Sequence, residues 1–383
     1  MHTPRQTDRA LVALLWITGL FAAAQFGKIS LTLALLGERY ATAGSLLPFT
    51  VSVVGIMGIL FGPIAGGIVT RIGLRRALLG ALMLGAATSA LEALGPPLWL
   101  FLSLRVVEGA SHLALVVALP TLMAESSSDR DRPVVMGLWG TYFGVSFAIL
   151  ALVLPSLVGL GGISAVYASH AVGMIAMAAL IAPRLPRGMG ERTTFRLGEE
   201  LRAIYSEPRL IAPALIFVWH AFVYVALLTF LPGALGHVWL GVVLPLVSLA
   251  GTMGAGVLAR TITPARIAVV AFTLNGVIAA AMLVLPALQV PLAILLFMTL
   301  GLVPGAGFAA IPWLNRLLGE RARSNGAVAQ LGNVGTFSGT PVFALALVWG
   351  GSAGLLVLLV GVSFVGFIIA SVISRRFRSA VAA

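Results

Sequence analysis

Among the ionisable side chains that interrupt long apolar runs in this sequence are Lys28, Arg105, Glu108 and His112. Arg105, Glu108 and His112 stand at i, i+3 and i+7, a spacing that puts all three on one face of a helix. Such a set can hold an anion, with the guanidinium as a planar two-pronged donor and the ammonium as a point charge. It can also carry a proton on Glu108, with His112 one turn away as an accessory. Two other readings stay open: a permanent Glu108 pair with Arg105 or Lys28 that only locks helices together, and a Lys28 that snorkels to a surface. An enzyme is disfavoured. The chain has no cysteine, and it contains no His-Glu-x-x-His pattern, nucleophile motif or Gly-Lys-Ser/Thr phosphate loop, so no catalytic residue, metal or cofactor is expected.

The elements that must position these residues follow from composition. Of 383 residues 60% are hydrophobic and 9% charged, against about 25% charged in ordinary globular domains. A water-soluble fold is excluded. At roughly 20 residues per span, the apolar runs predict twelve transmembrane helices: 10–36, 44–69, 76–94, 97–124, 133–158, 163–183, 210–232, 238–258, 266–288, 291–315, 325–349 and 353–374. The first run continues past Lys28 to Leu36, too long for a signal peptide. Arginines fill alternate loops. Arg5 and Arg9, Arg71 to Arg76, Arg130 and Arg132, the stretch from Arg184 to Arg209, Arg260 and Arg266, Arg316 to Arg323, and Arg375 to Arg378 all fall on one side, whereas the other side carries only Arg39. The positive-inside rule then places both termini in the cytoplasm. It also accounts for the net charge of +12 without a nucleic-acid partner.

Depth along the spans puts the charges in one layer. Lys28 lies about 12 Å from the outer end of span 1, Arg105 about 12 Å and Glu108 about 16 Å from the outer end of span 4. Two cations and one carboxylate in that layer leave a surplus of one positive charge, which favours a small anion. In the second half the polar membrane residues are uncharged: Trp219, His220 and Tyr224 in span 7, Gln330, Asn333 and Thr336 in span 11. His220 sits about 15 Å deep. Pro304-Gly305-Ala306-Gly307 in span 10 predicts either an unwound turn or close packing through small residues.

Between spans 2 and 3 the chain reads Gly62-Pro63-Ile64-Ala65-Gly66-Gly67-Ile68-Val69-Thr70-Arg71-Ile72-Gly73-Leu74-Arg75-Arg76. This resembles the cytoplasmic signature of the major facilitator superfamily, with Thr70 at the usual Asp position and Leu74 at the first basic position of the final pair. Gly254 to Arg260 and Arg266 give a fainter echo between spans 8 and 9, as expected of a duplicated six-helix unit. Leu104 to His112 resembles the superfamily's span-4 Arg-x-x-x-Gly signature. With Gly137-Leu138-Trp139-Gly140-Thr141-Tyr142 it is similar to the cyanate-permease-like branch. Span 5 lacks the Gly-Pro-x-x-Gly-Gly pattern of drug/proton antiporters.

The resemblance implies an all-α polytopic fold of two pseudo-symmetric six-helix bundles, residues 1–183 and 210–383, joined by a cytoplasmic linker, 184–209, with a short helix around Leu197–Tyr205. Spans 1, 4, 7 and 10 would line a cavity. Lys28, Arg105, His112, Tyr142, His220, Tyr224 and Asn333 are the candidate substrate-binding residues, and Glu108 the candidate proton-coupling residue. Gly66, Arg71, Gly73, Arg75 and Arg76 would form a gating motif at the cytoplasmic surface, where glycines allow close packing and arginines hold carbonyl ends or carboxylates. The expected function is secondary transport of a small anionic solute across the inner membrane by a monomer in the lipid bilayer, with protons as a candidate coupling ion. Efflux of a drug-like compound is the alternative, and a non-transporting receptor or scaffold a third reading.

Overall fold

A computed structural model describes residues 6–128, 131–185 and 196–377, and every regular element among them is helical. The contacts divide the chain into two units, Met1–Phe195 and Arg196–Ala383. The first contains α1 (Arg9–Ser30), α2 (Leu33–Arg39), α3 (Phe49–Ser52), α4 (Ile56–Phe61), α5 (Ala65–Ile72), α6 (Leu74–Ala93), α7 (Leu98–Glu125), α8 (Arg132–Trp139) and α9 (Tyr142–Ile181). The second contains α10 (Leu197–Ser206), α11 (Pro208–Ala234), α12 (Leu240–Leu258), α13 (Pro264–Val284), α14 (Gln289–Leu314) and α15 (Leu318–Arg376).

Ten stretches among the described residues are long and apolar enough to cross a membrane. Two of them double back. Within α9, Ser146 donates to the Leu20 carbonyl and His170 Nε2 lies 3.0 Å from that of Phe21, so residues 24 apart meet neighbouring positions of α1. A straight helix would separate them by about 36 Å. The reversal falls at Gly161 and Gly162, the latter with φ 65°. In α15, Gly354 lies against the Ala346 carbonyl, and Gly351 between them has φ 57°. With each of these two reversals separating two segments, the described residues carry twelve apolar segments, and both reversals fall at glycines.

Close approach between helices comes from small residues, as expected where lipid supplies no hydrophobic drive for association. Gly251 of α12 lies on the Met298 carbonyl of α14, and Gly301 of α14 lies on the Ser248 carbonyl of α12. Thr252 adds a 3.0 Å hydrogen bond to the Gly301 carbonyl. Gly305 abuts Thr252 and Ala255, and α14 runs unbroken through Pro304. Close packing, not an unwound turn, is what that sequence does. Gly66, expected to serve the same purpose, does not: it is exposed, and a Cβ there would meet nothing within 4 Å. Large apolar side chains cover the outside of both units, among them Leu152, Met253, Val277, Val357 and Phe364. Trp99, Trp239 and Trp349 are exposed at span ends, where an aromatic belt meets the headgroups.

The linker is only partly described. Arg187 and Arg192 lie outside the described residues, as do Arg5, Arg130 and Arg378. Its short helix, α10, belongs to the second unit, where Tyr205 donates to Gln330 Oε1 at 3.0 Å.

Candidate functional site

Span 2 is the irregular one. Its helices α3, α4 and α5 are joined by 3₁₀ turns at Val53–Gly55 and Gly62–Ile64, which release carbonyls from the α-helical ladder. Arg105 Nε donates to one of these, Thr50 O, at 3.0 Å. The helices come close enough because Gly109 of α7 presents no Cβ to the Val54 carbonyl. The other guanidinium bonds run from Nη2 to Gln25 O of α1 at 2.8 Å, and from Nη1 to Glu108 Oε2. One side chain thus ties α1, span 2 and α7 together.

Lys28 reaches the same layer from α1. Its Nζ donates to Ser89 Oγ at 2.7 Å, Glu92 Oε2 at 2.7 Å and Glu108 Oε1 at 2.8 Å, and it lies 5.4 Å from the Tyr167 ring centroid. Snorkelling is excluded. Lys28, Glu92, Arg105 and Glu108 are all 0% exposed, and Arg105 Nη1 lies 3.8 Å from Glu92 Oε1. Glu92, in the last turn of α6, was not counted in the sequence reading. With it the cluster holds two cations and two carboxylates, so the expected surplus of one positive charge disappears.

Ser89 and His170 were also missed. His170 Nε2 faces a carbonyl and so carries the ring proton, which leaves Nδ1 to accept from Ser89 Oγ at 2.8 Å. Lys28 therefore donates to a hydroxyl that in turn donates to an imidazole. His112 does not back up Glu108 as expected, because its Nδ1 faces Ala22 O at 3.0 Å and Gln25 Oε1 at 3.2 Å. Gln25 passes the contact on to Ser111, and Phe26 packs edge-on to the His112 ring. Towards the Pro96–Pro97 end, Tyr40, Phe101 and Tyr167 pack in series with tilted rings at centroid separations of 5.6 and 6.0 Å.

The other candidates stand apart from this cluster. Tyr142 stacks on Trp139 at 4.1 Å, and Trp139 lies over Gly19 of α1. In the second unit His220 packs between Phe217 and Tyr224, with Phe308 and Phe297 extending the aromatic group. His220 Nδ1 and Trp219 Nε1 are buried without a hydrogen-bond partner. Asn333 only bonds back to Ala329 O of its own helix. In the gating motif, Gly73 has φ 92°, the left-handed turn between α5 and α6 that glycine permits. Arg75 Nη1 caps the end of α9 by donating to Ala182 O at 2.6 Å and Leu185 O at 2.9 Å. Arg71 and Arg76 are exposed.

The sequence pattern of the Major Facilitator Superfamily matches residues 15–340. The chain is also similar to the inner membrane transport protein YajR of Escherichia coli (strain K12), with 24% identity over 170 residues. That stretch is 44% of this chain and 37% of the relative's length.

Proposed function

Because the chain belongs to the Major Facilitator Superfamily, we propose that it is a secondary transporter that carries a small anion and a proton together across the inner membrane by alternating access. The observation that carries this reading is the buried four-charge cluster. With both carboxylates ionised its formal charge is zero, so an added anion finds no net attraction. One proton on the Glu92/Glu108 pair makes the cluster +1 and frees a donor on Lys28 or Arg105. Proton and anion then favour each other's binding, and the coupling is reciprocal. Lys28 and Arg105 hold the anion in this reading. His112, Tyr142, His220, Tyr224 and Asn333 contact it along its path, and Glu108 with Glu92 carries the proton. Arg75 and its neighbours in the 66–76 motif act as the cytoplasmic latch, and both termini are cytoplasmic. The transporter works as a monomer.

A second reading, efflux of an amphipathic compound, draws support from the aromatic group around His220, whose Nδ1 lacks a partner. Thermal unfolding of the purified protein separates the two, since a ligand that binds only the folded state raises its apparent stability. Nitrate, cyanate, sulfate and succinate, screened at mildly acidic pH, are expected to include an anion that raises the melting temperature. Stabilisation by tetraphenylphosphonium, with no response to any anion, would replace the anion reading with efflux.

A further inference from the structure

The two carboxylates of the cluster are not equivalent. Glu108 has a cation on each oxygen, Lys28 on Oε1 and Arg105 on Oε2. Glu92 has Lys28 on Oε2, but its Oε1 is buried with no hydrogen-bond partner. Arg105 does not supply the missing donor: its Nη1 lies 3.8 Å away, beyond hydrogen-bond reach, and bonds Glu108 instead. An ionised oxygen held out of water without a donor is costly, and a proton there removes the charge. Breaking the Glu108 bonds instead would leave Arg105 without a hydrogen-bonded carboxylate.

Resting on the proton-coupled reading above, we infer that Glu92, not Glu108, takes up the transported proton. Glu108 remains ionised and holds Lys28 and Arg105 in place. Protonated Glu92 loses its hold on Lys28, and the vacated ammonium direction is where the anion enters. The surrounding groups fit this assignment. From α1 comes Lys28, and from α7 Arg105 and Glu108. From α9 come Tyr167 and His170, the latter reached through Ser89. Tyr40 and Arg39 lie near the end of α6, with Tyr40 donating to Pro96 O at 2.6 Å and Arg39 against Gly95. Glu92 lies one residue from the end of α6, so of the four cluster members it is separated from its helix terminus by the least protein.

The test needs no substrate. Infrared difference spectra of the reconstituted protein, titrated from alkaline to mildly acidic pH, read the carbonyl stretch of a protonated carboxylic acid directly. The wild type should show such a band shielded from solvent. Glu92→Gln should abolish it, Glu92→Asp should keep it but move its titration midpoint, and Glu108→Gln should keep it. A band that survives Glu92→Gln and disappears in Glu108→Gln overturns the inference and leaves proton coupling intact. Absence of any such band in the wild type overturns it together with the coupling, whereas anion binding is judged separately by the stability screen. Should Glu92→Gln fail to fold, an unmoved midpoint in Glu92→Asp overturns the assignment by itself.

Discussion

Replacing Lys28 by methionine keeps most of the apolar stem and deletes the ammonium. Three hydrogen bonds of 2.7, 2.7 and 2.8 Å go with it. Glu92 and Glu108, both 0% exposed, are then left with Arg105 as their one counter-ion, and the cluster becomes −1. Removing one partner of a buried ion pair costs about 3–5 kcal/mol, much more than the net worth of the intact pair. In a unit of this size each kcal/mol shifts the melting temperature by about 2–4 °C, so the variant should melt roughly 6–20 °C below the wild type. Removing a carboxylate as well should reverse much of the loss. Lys28→Met/Glu92→Gln restores a formal charge of zero on Arg105 and Glu108 and should recover at least about half the deficit, a strong positive coupling in a double-mutant cycle. Tryptophan fluorescence during thermal unfolding in detergent reads both variants, since Trp16, Trp99 and Trp139 lie in the same unit. A single variant melting within about 2 °C of wild type, or a double variant no better than the single, would refute the view that these charges form one interdependent network.

Other consequences are more local. Arg75→Ala removes two caps from the carbonyl end of α9; the half-exposed site limits the loss to about 1 kcal/mol, seen as a drop of a few degrees in melting temperature and slower exchange across proteoliposomes. Gly251→Leu should destabilise the second unit strongly, because its Cβ meets the Met298 backbone, whereas Gly254→Leu three residues on, with open space around it, should be nearly neutral; equal melting shifts in the two would contradict the packing described. A reporter at Gly236 should face outward and reporters at Arg192 and Ala383 inward, and a C-terminal reporter active only outside would reverse the orientation argued from the arginines.

The spacing of Arg105, Glu108 and His112 and simple depth along the spans put Lys28 in one layer with Arg105 and Glu108, because helical rise is set by backbone geometry; that Lys28 faces them across the bundle followed only from the family's arrangement of spans 1 and 4. Glu92 escaped the same reasoning. It stands one residue from the end of α6, a depth at which a carboxylate reads as an interfacial residue, yet it is buried and meets Lys28 Nζ at 2.7 Å. Ser89 and His170 escaped because an isolated polar residue in an apolar helix carries no signal of what it faces. His112 shares the face of Glu108 as predicted, yet Gln25 one turn before Lys28 captures its ring. The breaks in span 2 are legible only in part: Gly55, Gly58 and Gly62-Pro63 weaken the helix, but the partner that takes its freed carbonyl, Arg105, is fixed by tertiary packing. Gly66 shows the converse, since the sequence can show that a residue is small without showing what lies beside it.

Joint loading of a proton and an anion on the Lys28–Glu92–Arg105–Glu108 cluster is read out by flux in sealed proteoliposomes containing a trapped pH dye. Nitrate, cyanate, sulfate and succinate are added outside one at a time, without an imposed pH gradient. At least one of them should acidify the lumen in wild-type vesicles, and Glu92→Gln should abolish the acidification while still exchanging the same labelled anion. An anion that is transported by the wild type with no movement of protons, or acidification that persists unchanged in Glu92→Gln, would contradict joint loading.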